Sequence, residues 1–250
     1  MVCAVQIYEE PKLNNPVLIE GLPGIGFVAN IAALHLIHEL DAKLFAEISS
    51  SSFQDLAVIT EKGGTQHPTN KLYYYKNQEG GRDLIIWHGN TQALTTFGQY
   101  ELCDRVLGIV EKLGCHYVIT LGGFKKEQTA EKPEIYCAAS DPETLKEALN
   151  LGAKIMVGQI FGLAGVTIGM GKLTNFKGFS LLVETAGTYP DVKAAHQALT
   201  ALSNFLNLRV DLSRLNVAAE KTKKTLESFG LIRRVKEEKK KDESQFRWFV

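Results

Sequence analysis

A chain of 250 residues with 45% hydrophobic side chains carries enough apolar mass for one sizeable α/β domain, which excludes disorder of the whole. Its 28 Lys+Arg balance 28 Asp+Glu, so a formal net charge of zero offers no general pull toward nucleic acid or an anionic membrane, and neither is expected as a partner. The opening M-V-C-A-V-Q-I-Y-E-E-P lacks the basic end, long apolar stretch and cleavage site of a signal peptide, and Cys3, Cys103, Cys115 and Cys137 form no C-x-x-C, so the reading is a cytoplasmic protein with reduced thiols.

Val17-Leu18-Ile19 is a short apolar run ended by Gly21 and Pro23, the pattern of a buried strand. From Val28 onward apolar positions at Ile31, Ala32, His35 and Leu36 have helical spacing. Lys43 to Ile48 returns to strand, and Leu56 to Thr60 with Lys71 to Lys76 reads as a pair of strands around a Gly/Pro loop. Leu84 to Trp87 is a strand, followed by a helix from about Gly98 to Leu113 that Gly114 ends. Strand Tyr117 to Leu121, a strand near Ile135 to Ala138, and helix Pro142 to Leu149 come next.

The segment Ile155 to Gly171, I-M-V-G-Q-I-F-G-L-A-G-V-T-I-G-M-G, has no charge, but it falls short of the roughly 20 residues a membrane span needs. So many glycines make a poor helix in water, and a buried Gly-rich connection is expected. Phe179 to Glu184 is a further strand, Asp191 caps a helix that buries Val192, Ala195, Leu199 and Leu202, and a last amphipathic helix runs from about Ser213 to Phe229. Strands alternating with helices predict a mixed but mainly parallel sheet covered on both faces. Residues 1–230 are expected to form a single α/β domain and 231–250 a charged tail with a hydrophobic end.

Chemistry-bearing motifs are sparse. G-L-P-G-I-G-F-V-A-N contains Gly24-x-Gly26-x-x-Ala29, which satisfies a dinucleotide fingerprint, with Glu47 about 20 residues on. A helix N-terminus there could hold a pyrophosphate. Against this, the strand ends at Gly21 and the matching glycines follow Pro23, so the turn is longer than that fingerprint describes; Gly21, Gly24 and Gly26 equally suit a structural turn. Gly165 to Lys172 misses the P-loop spacing, with Leu173 where magnesium needs Ser or Thr. His35 and His38 lack zincin spacing and read as core or edge histidines, and no metal or cofactor is implied.

The terminus S-Q-F-R-W-F-V follows the charged run V-K-E-E-K-K-K-D-E. Exposed Phe246, Trp248, Phe249 and Val250 are unfavourable in water unless they dock, either on the chain's own core or in a partner's pocket. Trp248 and Phe249 are the aromatic anchors of interface hot spots, and a C-terminal carboxylate suits capture by a cation.

P-V-L-I-E-G-L-P-G-I-G-F-V-A-N-I-A-A-L-H-L-I, Q-I-F-G-L-A-G-V-T-I and F-S-L-L-V-E-T-A-G-T-Y-P-D-V-K-A-A together resemble the proteasome assembly chaperone 2 family, most of all its archaeal homologues, in order over roughly residues 15 to 210. The Gly21-to-Gly26 turn and Tyr189-Pro190-Asp191 with Ala194-Ala195 carry the resemblance best. It implies a three-layer αβα fold similar to purine nucleoside phosphorylases, no cofactor and no established enzymatic activity. It further implies homo-oligomers that assist assembly of 20S proteasome α-subunit rings without ATP. Some members end in a hydrophobic–tyrosine–any-residue motif that inserts between α-subunits; here Trp248 matches the hydrophobic residue, Phe249 replaces tyrosine without its hydroxyl, and Val250 supplies the carboxylate. The alternative from a different class is a nucleotide- or nucleoside-binding enzyme that uses the Gly21–Gly26 turn.

Overall fold

The computed structural model describes residues 3–59, 62–127, 130–187 and 190–229. Its strands are β1 (Cys3–Ile7), β2 (Val17–Gly21), β3 (Lys43–Ser50), β4 (Val58–Ile59), β5 (Thr65–Gln66), β6 (Asn70–Tyr75), β7 (Leu84–Gly89), β8 (Tyr117–Lys125), β9 (Ile135–Ala139), β10 (Lys154–Ile155) and β11 (Lys177–Thr185). Its helices are α1 (Val28–Glu39), α2 (Thr96–Lys112), α3 (Pro142–Asn150), α4 (Leu163–Leu173), α5 (Val192–Leu206) and α6 (Leu215–Ser228).

Nine strands form one sheet in the order β1-β3-β6-β7-β2-β8-β11-β9-β10. β7, β2, β8 and β11 are parallel. β6, β3 and β1 on one side and β9 on the other are antiparallel to their inner neighbours, while short β10 runs parallel to β9. The sheet is therefore mixed, with parallel order in its four central strands and in the short β9–β10 pair at one edge, rather than mainly parallel as the sequence suggests. The links between β3, β6 and β7 contain no crossover helix, and such links reverse direction.

Alternation along the strands builds two apolar layers. In β2, Val17 and Ile19 join the cluster that includes α1, α5 and α6 residues, whereas Leu18 joins the cluster that includes α2 and α4 residues. Helices thus cover both faces of the sheet, which makes three layers. α1 is apolar nearly all round because α5 and α6 pack against it from outside. His35 is buried within it and hydrogen-bonds the Asp211 carbonyl at 2.8 Å, as a core histidine, whereas His38 is exposed.

Asp191 starts α5 as expected. Its side chain accepts from Ala194 N–H at 2.9 Å and from the Thr185 hydroxyl at 2.7 Å, and its own N–H donates to the Gly26 carbonyl at 2.8 Å. One residue thereby ties the helix start to the end of β11 and to the glycine turn. Asp191→Ala is expected to cost about 1–2 kcal/mol, read as a lower urea midpoint. An unchanged midpoint would refute this clamp.

Three expectations need correction. In the expected strand Leu56 to Thr60, whose last residue lies outside the described residues, β4 pairs with β5 and not with Lys71 to Lys76, and β6 lies inside the main sheet between β3 and β7. The reason is burial, because Asn70 and Leu72 are sealed and Asn70 accepts from the Trp87 indole at 2.7 Å. The Gly-rich segment is not a connection throughout, since its second half is α4. Packing of Leu163, Thr167, Ile168 and Gly171 overrides low helix propensity, and a Cβ on Gly165 would come within 2.1 Å of the Ile160 carbonyl oxygen. Nor is the segment wholly buried: Ile155, Val157 and Phe161 are all exposed. Finally, β1 has no counterpart among the predicted strands; it is half-covered at the sheet edge, so its apolar signal is faint.

Candidate functional site

β2 ends at Gly21, and a short 3-10 turn, Ile25–Phe27, precedes α1. Gly21 lies so close to α1 that an added Cβ would sit 2.1 Å from Ala33 Cβ and 3.0 Å from the Ala29 carbonyl oxygen. Gly26 has φ +64° and would place a Cβ 2.5 Å from the Thr185 hydroxyl. Gly24 is extended, with nothing within 4 Å of an added Cβ. Two of these three glycines thus meet a steric demand from α1 or β11. Glu47, the acid that a dinucleotide fold would set beside such a turn, lies on β3, which β6 and β7 separate from β2. It accepts instead from the hydroxyls of Thr69 at 3.0 Å and Tyr8 at 3.1 Å.

Beyond the carboxyl ends of β2 and β8 opens a crevice of about 380 Å³. It stands where the chain reverses its direction of sheet building: after β2 the strands fill one side, and from β8 onward the other. Open α/β sheets bind ligands at such points. Its walls are mostly apolar, including Leu22, Ile25, Leu121, Met156 and Phe161, and the first turn of α4 closes one end. Gln92 holds that end, donating to the Pro23 carbonyl and accepting from Leu163 N–H at 3.1 Å.

Glu20 lines the crevice and is 1% exposed. One carboxyl oxygen, Oε1, accepts from Leu22 N–H at 3.1 Å, while Oε2 has no hydrogen-bond partner among the described residues. Burial pushes this carboxyl up to about 8, against only the one backbone donor. The sequence carried a faint signal for it, a lone acid ending an apolar strand, yet its isolation is a tertiary fact.

A second, more polar cleft of about 610 Å³ lies between α1, α6 and the ends of β6 and β7. His38, His88, Glu47, Lys71 and Lys221 line it. Burial, with Lys71, His38 and Lys221 nearby, pulls the His88 imidazole down to about 4, so this ring is neutral at physiological pH. Among the described residues no group of three or more His, Cys, Asp or Glu side chains could hold a metal ion. Burial raises the thiols of Cys103 and Cys115 to about 12 and about 11, which makes them inert packing groups. Trp248, Phe249 and Val250, like Tyr189 and Gly230, lie outside the described residues.

A three-layer α/β architecture around a mixed sheet, with an apolar crevice at its switch point, defines the class of the molecule. The chain belongs to the PAC2 family, whose sequence signature matches residues 18–229. It is 32% identical over 219 residues to the uncharacterized protein MJ1210 of Methanocaldococcus jannaschii, covering 87% of this chain and 82% of that one. Its fold matches Pyrococcus furiosus PbaB, an archaeal proteasome activator, with a TM-score of 0.82 and 33% identity over 92% of this chain and 99% of that one. Pyrococcus furiosus PbaA, an archaeal homolog of proteasome-assembly chaperone, matches with a TM-score of 0.73 and 28% identity over 92% of this chain and 100% of that one. No helix among the described residues is long and apolar enough to cross a membrane.

Proposed function

We propose that this chain is a cytoplasmic, ATP-independent chaperone or adaptor that binds proteasome α-subunits, assists 20S assembly and docks partly through Trp248, Phe249 and Val250. The observation that carries this reading is the match to PbaB at 33% identity over nearly the whole of both chains. A protein that works without nucleotide hydrolysis acts by presenting surfaces, and multivalency strengthens weak surfaces. Self-association is therefore part of the proposal. The exposed apolar side chains of Ile155, Val157 and Phe161 beside α4 support it, since water disfavours such clusters unless they are covered. Light scattering at micromolar concentration should find more than one copy; a monomer would count against this part. The three-layer sheet is further proposed to be of the purine nucleoside phosphorylase kind, which superposition would check.

Pull-down of the intact chain against recombinant α-subunits tests the central reading. Deleting Trp248, Phe249 and Val250 removes aromatic anchors typically worth about 2 kcal/mol, so binding should weaken roughly 30-fold with little change in melting temperature. One residue added after Val250 should act similarly by moving the carboxylate past its cation. If deletion spares α-subunit binding and lowers the melting temperature by several degrees, the tail belongs to the fold. A melting shift with nucleosides, phosphate or dinucleotides, without α-subunit capture, would instead support a ligand-binding enzyme.

A further inference from the structure

Two buried glutamates sit near the carboxyl ends of the central strands, and their surroundings differ. Glu184, at the end of β11, accepts from Lys126 Nζ, from Tyr136 OH at 3.2 Å and from Glu134 N–H at 3.3 Å. Burial alone would raise its carboxyl, but these donors hold it below the ordinary carboxylate range. Glu20 has the burial without the donors. Among the described residues its one hydrogen bond, from Leu22 N–H, occupies Oε1 and leaves Oε2 unpartnered on the wall of the switch-point crevice. A buried acceptor without a donor is costly, and native interiors keep few of them outside functional positions.

We propose that the crevice binds a cationic amine or guanidinium group carried on an apolar stem, with Glu20 Oε2 as its acceptor. The cation supplies an N–H donor and an opposite charge, so Glu20 gives up the proton that burial otherwise makes it keep, and binding releases that proton. The stem matches walls made by Leu22, Ile25, Leu121, Met156 and Leu182. A volume of about 380 Å³ suits a small molecule or one long side chain. At the mouth Phe161 is 82% exposed, and Val157 nearby is 89% exposed, so an entering group meets apolar surface first. Gln92 is already engaged at both ends of its amide and Lys125, the cationic side chain on the same wall, is exposed to solvent, which leaves Glu20 as the buried group that reads the ligand. The source of the cation is either a free small molecule or a Lys or Arg side chain of a partner protein. This site goes beyond the proteasome reading and is tested on the isolated chain, so the two stand or fall separately.

Met156 lines the crevice, and its methyl group reports on occupancy in the full-length protein labelled with 13C-methyl methionine. Titration with butylguanidinium should move the Met156 signal saturably, and uncharged 1-butanol at equal concentration should not. Glu20→Gln keeps shape and the acceptor for Leu22 N–H, and should weaken binding at least tenfold. Ala164→Leu, which adds bulk to the crevice wall without touching Glu20, should weaken it also. Binding of an acetyl-Ala-Arg-Ala-amide peptide more tightly than butylguanidinium assigns the cation to a partner's side chain; weaker peptide binding assigns it to a free small molecule. Equal binding by Glu20→Gln, an equal response to 1-butanol, or no Met156 shift in the folded native chain would overturn the proposal.

Discussion

Gly21→Val should be among the most damaging single substitutions in this protein, lowering stability by about 3 kcal/mol or more. The argument is steric. At Gly21 even a first Cβ would lie 2.1 Å from Ala33 Cβ and 3.0 Å from the Ala29 carbonyl, both on α1, so the helix would have to lift off the strand. α1 is the central helix of its layer, in contact with β2, β7, β8, α5 and α6, and lifting it disturbs the whole apolar cluster on that face. Gly26→Val should also be harmful because φ is +64° there and Thr185 blocks the added carbon. Gly24→Val is the control: it is extended with open space around it, and should cost less than about 1 kcal/mol. Urea midpoints of the three variants decide the matter. Equal losses at all three positions would show that the turn is not governed by contact with α1 and β11.

Raising the pH from about 6.5 to about 8 should destabilise the native chain by roughly 2 kcal/mol, and Glu20→Gln should abolish most of that slope. In the folded chain the Glu20 carboxyl keeps its proton up to about 8, whereas in the unfolded chain it ionises near 4.5. Between those values the folded state binds more protons, so stability falls as pH rises. His88 works in the opposite sense over a lower window. Its ring is held down to about 4 from an ordinary 6.5, so the unfolded state binds the extra proton there and stability rises with pH. The two slopes oppose each other below about 6.5, and the Glu20 decline stands alone above it. A flat profile from 6.5 to 8 in the native chain, or an undiminished decline in Glu20→Gln, would rule out the buried carboxyl as the cause.

What was legible in the residues is what local physics sets. The apolar run of β2, the helical spacing of α1 and the Asp191 cap of α5 each depend on a few neighbours along the chain, and the structure places them where the residues point. The family was legible too, through the Gly21–Gly26 turn and the Pro190-Asp191 segment, because these residues meet at one joint where Asp191 N–H donates to the Gly26 carbonyl. The crevice was not. It takes Glu20 from β2, Gly122 from β8, Leu182 from β11 and Phe161 from the loop before α4, and nothing in their spacing announces that they meet.

The sequence by itself determined the family and most of the longer elements in their order, since propensity, capping and alternation act within a few residues. Only the tertiary structure decided the sheet order, the placing of β6 inside it, the folding of a Gly-rich segment into α4 and the solitude of the Glu20 carboxyl. Each of those depends on which distant surfaces come together and exclude water. Burial then overrides local preference, and it leaves an acid without the donors that solvent would have supplied.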